Sequence, residues 1–273
     1  MNIQYMDYTN DQIKPLDDSY TIDNIKQPTH IINLKNLCQV VNDNDYCYLT
    51  SKNVKGLMDK IDENGLSDWD LFKDSWANLG IDKHMADGGL YRTRRHASLS
   101  AKASTTDYKL EQHQPHYQSL NYNTLNGGIQ RHYEPIEPNV IGSKTMSTII
   151  KFGLNIFSDL SPYSNWHIEI HQFRIDANDN STSNPTPEGI HRDGVSFVLM
   201  VMIDKQNIAN GETNIYDSNK LPLTSFKLTQ PLDMAIVNDD RVFHGVTPIK
   251  QLDTNEPASR DVLVITFRKQ ILQ

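Results

Sequence analysis

The chain has 273 residues, 37% of them hydrophobic and 22% charged, with a formal net charge of −8. That length favours one large domain able to bury a full core, and the composition excludes disordered or membrane-spanning material. The acidic balance argues against a nucleic-acid or anionic-membrane partner. The polar opening MNIQYMDYTN shows no secretory signal, so a cytoplasmic location with two reduced thiols, Cys38 and Cys47, is expected.

Residues 1–30 are polar and read as an irregular arm or a first strand, while Ile31, Ile32, Leu34, Leu37 and Val40 fit either a helix or an extended segment. Cys47-Tyr48-Leu49 reads as a short strand. Ser51 and Asn53 precede Val54, Leu57, Met58 and Ile61 at near-helical spacing, ending at Asn64-Gly65. Asp68 is expected to cap a second helix, with Trp69, Phe72 and Trp76 as its packing stripe and Gly80 closing it. Near Gly88-Gly89 the pattern changes to short alternating stretches, the signature of a β-rich region. Residues 1–87 are therefore expected to be a helical or irregular segment packed on a β-rich core at 88–273, within one structural domain overall.

Within that core, Asn126-Gly127-Gly128 marks a turn, Met146 to Ile156 a helix and Trp166 to Ile175 a strand, and Ala177 to Pro187 forms a polar loop. Val195 to Ile203 is a continuous apolar strand that must be buried on both faces. Strands at 213–216, 234–237, 242–244 and 260–267 follow, with turns at Asn210-Gly211 and Asn238-Asp239-Asp240.

Just before the long apolar strand stands Gly189-Ile190-His191-Arg192-Asp193-Gly194, and a later strand begins Val242-Phe243-His244-Gly245. In extended backbone, positions i and i+2 share a face, so His191 and Asp193 aim together and Arg192 points away. Two imidazoles and a carboxylate make the facial triad that holds Fe(II) on one side and leaves positions open for oxygen and a cosubstrate. Several strands separate Asp193 from His244, so the ends of the triad meet only if the sheet curls, as in a jelly roll or double-stranded β-helix. Arg260 opens the final strand, and its guanidinium fork suits one end of a dicarboxylate. Arg268 shares that parity at the strand's other end and is the competitor.

Two further clusters have competing readings. His167, Glu169 and His171 share one strand face. That is either a metal constellation or, as preferred here, a wet polar face over a core of Ile168 and Ile170, with His167 or Gln172 touching a substrate. Arg92 and Arg94 share a face, with Tyr91, Thr93 and Arg95 on the other, and suit either a substrate carboxylate or a solvated edge strand.

The segments PEGIHRDGVSFV, NGETNIY, DDRVFHGVTPI and SRDVLVITF, with YRTRRHA and NGGIQRHYEPI upstream, resemble the bacterial Fe(II)/2-oxoglutarate dioxygenase family that includes L-isoleucine 4-hydroxylase; the resemblance spans residues 88–268. It implies a mainly β protein with flanking helices around a double-stranded β-helix (jelly-roll, cupin-like) core. It further implies Fe(II) on His191, Asp193 and His244, 2-oxoglutarate paired with Arg260, and O2 as oxidant, with ascorbate as an aid in vitro. The implied reaction hydroxylates a free, aliphatic L-amino acid and releases succinate and CO2. Tyr91, Arg92, Arg94, His167 and Gln172 are the candidate contacts to that small-molecule substrate. Two alternatives stand beside this reading. One is the same chemistry on a peptidyl, carrier-bound or natural-product substrate; the other is a non-catalytic cupin-like protein that binds metal or ligand. Nothing in the sequence sets an oligomeric state.

Overall fold

The computed structural model describes residues 33–177 and 183–270. The arm expected at 1–30 and part of the polar loop before His191 lie outside these residues.

The ambiguous apolar stretch around Leu37 is helical. α1 (Leu34–Asn44) starts on Asn33, whose side chain accepts the Asn36 N–H, and stops at Asp45 in the left-handed region (φ 66°). β1 (Tyr46–Leu49), α2 (Ser51–Met58) and α3 (Trp69–Asp74) follow, then a 3-10 turn over Ser75–Asn78. Asp68 precedes α3 but does not cap it with its side chain. Its carboxylate instead accepts the backbone N–H groups of Lys144 at 2.7 Å and Thr145 at 2.9 Å, satisfying the open start of the distant helix α5 (Lys144–Leu160). Phe72 and Trp76 are buried as a stripe, and the Trp76 indole N–H donates to the Phe173 carbonyl.

Between α3 and α5 lie β2 (Gly80–Ile81), β3 (Arg92–Ala101), β4 (Tyr108–Leu110), β5 (His116–Tyr117), β6 (Gln130–Arg131) and α4 (Pro138–Ile141). After α5 come β7 (Asn165–Ala177), β8 (Phe197–Gln206), β9 (Ile208–Asn210), β10 (Thr213–Tyr216) and β11 (Pro222–Phe226). The chain continues through β12 (Met234–Asn238), β13 (Phe243–Val246), β14 (Ile249–Gln251) and β15 (Ala258–Gln270).

The main sheet runs β1-β12-β8-β15-β7-β3-β2, with β4 added on β3 and every pairing antiparallel. β11-β10-β13 forms a smaller sheet facing it. This is the double-stranded β-helix with flanking helices. The long apolar run fits because both faces of β8 are covered. Leu199, Val201 and Ile203 join Ile168, Ile170 and Phe267 under α5, while Val198, Met200 and Met202 pack toward Ile215 and Phe226 on the smaller-sheet side. α5 lies so close to β15 that a Cβ on Gly153 would stand 2.6 Å from the Phe267 ring. β1 and β2 belong to the main sheet, so a boundary drawn at residue 87 cuts across it. Cys38 and Cys47 are buried and unbridged. Among the described residues no helix is long and apolar enough to cross a membrane.

Candidate active site

His191 and His244 face each other across an isolated antiparallel bridge, each donating its backbone N–H to the other's carbonyl at 2.9 Å. This reciprocal pairing sets the two rings side by side, with centroids 4.5 Å apart. Asp193 completes the group: its carboxylate oxygens lie 3.6 Å from His191 Nε2 and 3.6 Å from His244 Nε2. These separations exceed hydrogen-bond length and suit an ion placed among two nitrogens and an oxygen. His191 Nδ1 donates to the Gly189 carbonyl at 2.9 Å, which fixes the tautomer and leaves Nε2 free to ligate.

The ligand-bearing loop is braced from the other strand. Asp239 accepts the backbone N–H groups of Asp193 (2.9 Å), Gly194 (2.8 Å) and Val195 (3.1 Å), and its Oδ1 stands 3.7 Å from His244 Nδ1. Burial and the neighbouring Asp193 charge push the Asp239 carboxyl up to about 7. Burial opposes the charged form of His191, but Asp193 and Glu188 outweigh it and hold this imidazole at about 9. Burial and the adjacent His191 charge lower His244 to about 4.

The group opens on a cavity continuous with solvent. Its inner-sheet wall follows from strand register. Arg94, Phe173 and Val262 form one row, His96, His171, Val264 and Met200 the next, and Ser98, Glu169, Thr266 and Val198 a third. The β3–β7 side is thus polar and the β15–β8 side mainly apolar. Arg260 sits one row beyond, opposite Ile175. Its guanidinium lines the cavity with one buried Nη unpartnered, and burial alone lowers it to about 10. A buried, unmatched cation is costly unless an anion joins it, so this residue fits a carboxylate ligand. Arg268 lines the same cavity at the opposite end of the same face of β15.

The predicted substrate contacts divide. Arg92 and Arg94 line the cavity on a strand paired on both sides, so the solvated-edge reading of β3 does not hold. Arg92 pairs with buried Asp82 at 2.8 Å, and Arg94 is stacked between Tyr133 and Phe173. Gln172 faces the helices and donates to Ser75, Tyr91 donates to Asp87, and His167 is half-buried beside Glu169; none of these three lines the cavity. The His171–Glu169 face is buried and polar rather than wet.

His96, His116, Glu169 and His171 form a second group with mutually close ligating atoms. Its members are already engaged: His116 Nδ1 donates to Glu169 at 3.0 Å, and Arg94 donates to His171 Nδ1 at 2.6 Å. The Arg94 cation at its edge opposes a metal ion, so the His191–Asp193–His244 group is the better fit for one. Sequence reading missed His96, His116, Gln118, Arg131 and Glu188. Three of them ride on or beside the two-residue strands β5 and β6, too short to leave a periodic signal. The Gly127-Gly128 turn and the resembling segment NGGIQRHYEPI, which contains Arg131, were the cues there.

The family described as 2OG-Fe dioxygenase matches residues 73–266. The chain is 26% identical over 211 residues to a Pantoea ananatis protein named 3(1)-hydroxy-L-isoleucine 4-dioxygenase, covering 76% of this chain and 83% of that one. It is also 26% identical over 183 residues to L-isoleucine-4-hydroxylase of Bacillus thuringiensis, covering 66% and 75%. Among solved structures, a BsmA homologue from Methylobium petroleophilum PM1 superposes with a TM-score of 0.78 at 32% identity, over 88% of this chain and 95% of that one.

Proposed function

The chain belongs to the 2OG-Fe dioxygenase family and is an enzyme of iron(II), 2-oxoglutarate and O2, and from that premise we propose that it hydroxylates a free L-amino acid with an aliphatic side chain. The observation that carries this reading is the divided cavity. A polar wall suits a zwitterionic head, an apolar wall suits an aliphatic chain, and both border the candidate metal group. The Pantoea and Bacillus relatives, named for isoleucine chemistry, support it.

In this reading His191, Asp193 and His244 hold the iron. When bound, iron(II) with 2-oxoglutarate supplies the oxidising chemistry, coupling release of succinate and carbon dioxide to insertion of one oxygen atom into a C–H bond. The protein's own residues orient and exclude. The Gly189 carbonyl keeps His191 in its ligating tautomer, and Asp239 holds the 193–195 backbone in place. Arg260 takes the far carboxylate of 2-oxoglutarate as a charge-assisted pair. Val198, Met200, Val262 and Val264 keep water from the reacting carbon. Unbridged Cys38 and Cys47 support a reducing, cytoplasmic setting. Because β1 and β2 complete the main sheet, we take the described residues as one folding unit.

The test is turnover of a pool of the common amino acids with Fe(II), ascorbate, 2-oxoglutarate and O2. Succinate and a product heavier by one oxygen are expected from an aliphatic member. Turnover of a peptidyl or carrier-bound substrate with none of any free amino acid would overturn the reading.

A further inference from the structure

A free amino acid brings an ammonium and a carboxylate into the cavity, and each needs a partner there once water is excluded. Most charges in the wall are already engaged. Arg92 and Arg94 share buried Asp82 at 2.8 and 3.6 Å, and Arg94 also donates to His171. Glu169 accepts from His116, with His96 Nε2 at 3.4 Å. Asp193 belongs to the metal group and Arg260 to the cosubstrate.

Three charges remain, Arg131, Glu188 and Arg268, and the first two adjoin the metal group. Arg131 is 2% exposed; one Nη donates to Gln118 Oε1 at 2.9 Å and its Nε has no partner. Glu188 has a buried Oε2 without a partner, while its other oxygen stands 3.5 Å from His191 Nε2. Among the described residues no carboxylate forms an ion pair with Arg131, and Glu188's one ion-pair contact is the His191 ring. Both line the cavity, and both adjoin the metal group. Arg131 connects through Gln118, whose amide donates to Asp193 Oδ1 at 3.1 Å, and Glu188 adjoins it through His191.

Resting on the proposed function, we propose that Arg131 receives the substrate's α-carboxylate and Glu188 its ammonium. One anion and one cation, each with an unsatisfied buried atom, lining one cavity beside the metal group, match a zwitterion. They also select against blocked substrates. A peptidyl or carrier-bound group lacks one charge and leaves a buried partner bare, the situation in which polar sites discriminate most strongly. Arg268, with an unpartnered Nε, is the competing anchor for the carboxylate; it is half-buried at the far end of β15 from Arg260.

The experiment uses the full chain loaded with Fe(II) and 2-oxoglutarate under nitrogen. Affinity is measured by calorimetry for the best amino acid of the pool, its N-acetyl derivative and its carboxamide. Glu188→Gln should weaken the free amino acid about 10- to 100-fold and narrow its advantage over the N-acetyl form. Arg131→Gln should do the same relative to the carboxamide. Glu188→Asp and Arg131→Lys, which keep the charge, should recover part of the affinity and serve where a neutral variant does not fold. The clamp is overturned if free amino-acid affinity survives both neutral variants. It is also overturned if Arg268→Gln rather than Arg131→Gln removes carboxylate selectivity, or if Glu188→Gln loses iron by elemental analysis instead of amino-acid affinity. Binding of no free amino acid by the wild-type chain, with turnover of a peptidyl substrate, sinks the proposed function and the clamp together; the other outcomes sink the clamp alone.

Discussion

The Asp239 carboxylate accepts the Asp193 backbone N–H at 2.9 Å, tying the turn after β12 to the loop that carries two of the three proposed metal ligands. The same carboxylate reaches Gly194 and Val195 and faces His244, so one side chain braces both halves of the metal group. Asp239→Ala should lower the affinity for Co(II), a stand-in for Fe(II), by about 10- to 100-fold, with Asp239→Asn between it and wild type. A Co(II) titration followed by absorbance reads this, and an unaltered affinity would remove the bracing role.

His191→Ala or Asp193→Ala should abolish stoichiometric metal binding, whereas His96→Gln should keep it. Elemental analysis after anaerobic loading should find one equivalent in the wild type. A second equivalent that disappears in His96→Gln would show that the His96–Glu169 group also holds metal.

Arg260→Gln should raise the KM for 2-oxoglutarate by about 10- to 100-fold, as expected for deleting a charge-assisted contact. Arg268→Gln should shift it far less. Succinate formation against cosubstrate concentration decides, and the reverse ranking would move the role to Arg268.

Burial lowers the pKa of His96 to about 4 and depresses His116 and His171 as well. The folded chain keeps these rings neutral while the unfolded chain protonates them near about 6.5. The contribution of His96 to stability is therefore whole above that pH and is lost as pH falls toward 4, by up to about 1.4 kcal/mol per pH unit, and His116 and His171 act in the same direction. Thermal melts of metal-free protein should show the loss, and His96→Gln should flatten the slope. Equal slopes in wild type and variant would refute this.

Gly153→Ala should destabilise. The new methyl meets the Phe267 ring, which Phe157 and Trp166 hold in place. Overpacking costs about 1–3 kcal/mol and outweighs the roughly 1 kcal/mol gained from alanine's helix propensity. A melting temperature at or above wild type would mean that α5 can shift to make room.

The grouping of His191, Asp193 and His244 was legible because its parts are local signals: His191 and Asp193 two residues apart, and His244 beside a turn. The long apolar run of β8 likewise announced a strand covered on both faces. Asp68 was misread because its partner helix begins far downstream at Lys144, and capping rules see only adjacent residues. The substrate-side wall was least legible. Its residues converge from β3, β5, β6 and β7, and their burial depends on strand register, which periodicity does not encode. Gln172 shows the limit: parity separated it from His171, but nothing in the sequence said which face was the cavity.

β15 lies in the middle of the main sheet, yet it is the last strand in chain order among the described residues. β7 and β3 lie on one side of it and β8, β12 and β1 on the other, so it closes a gap that every earlier strand leaves open. During synthesis the two halves of the sheet must wait, each with an unpaired edge, until this strand clears the ribosome. The loop-closure cost of such distant pairings falls before their reward, which makes folding slow and exposes edges to aggregation. Arg260, the residue proposed to hold the cosubstrate, arrives on the same strand. On that proposal, competence to bind 2-oxoglutarate and closure of the sheet are one event.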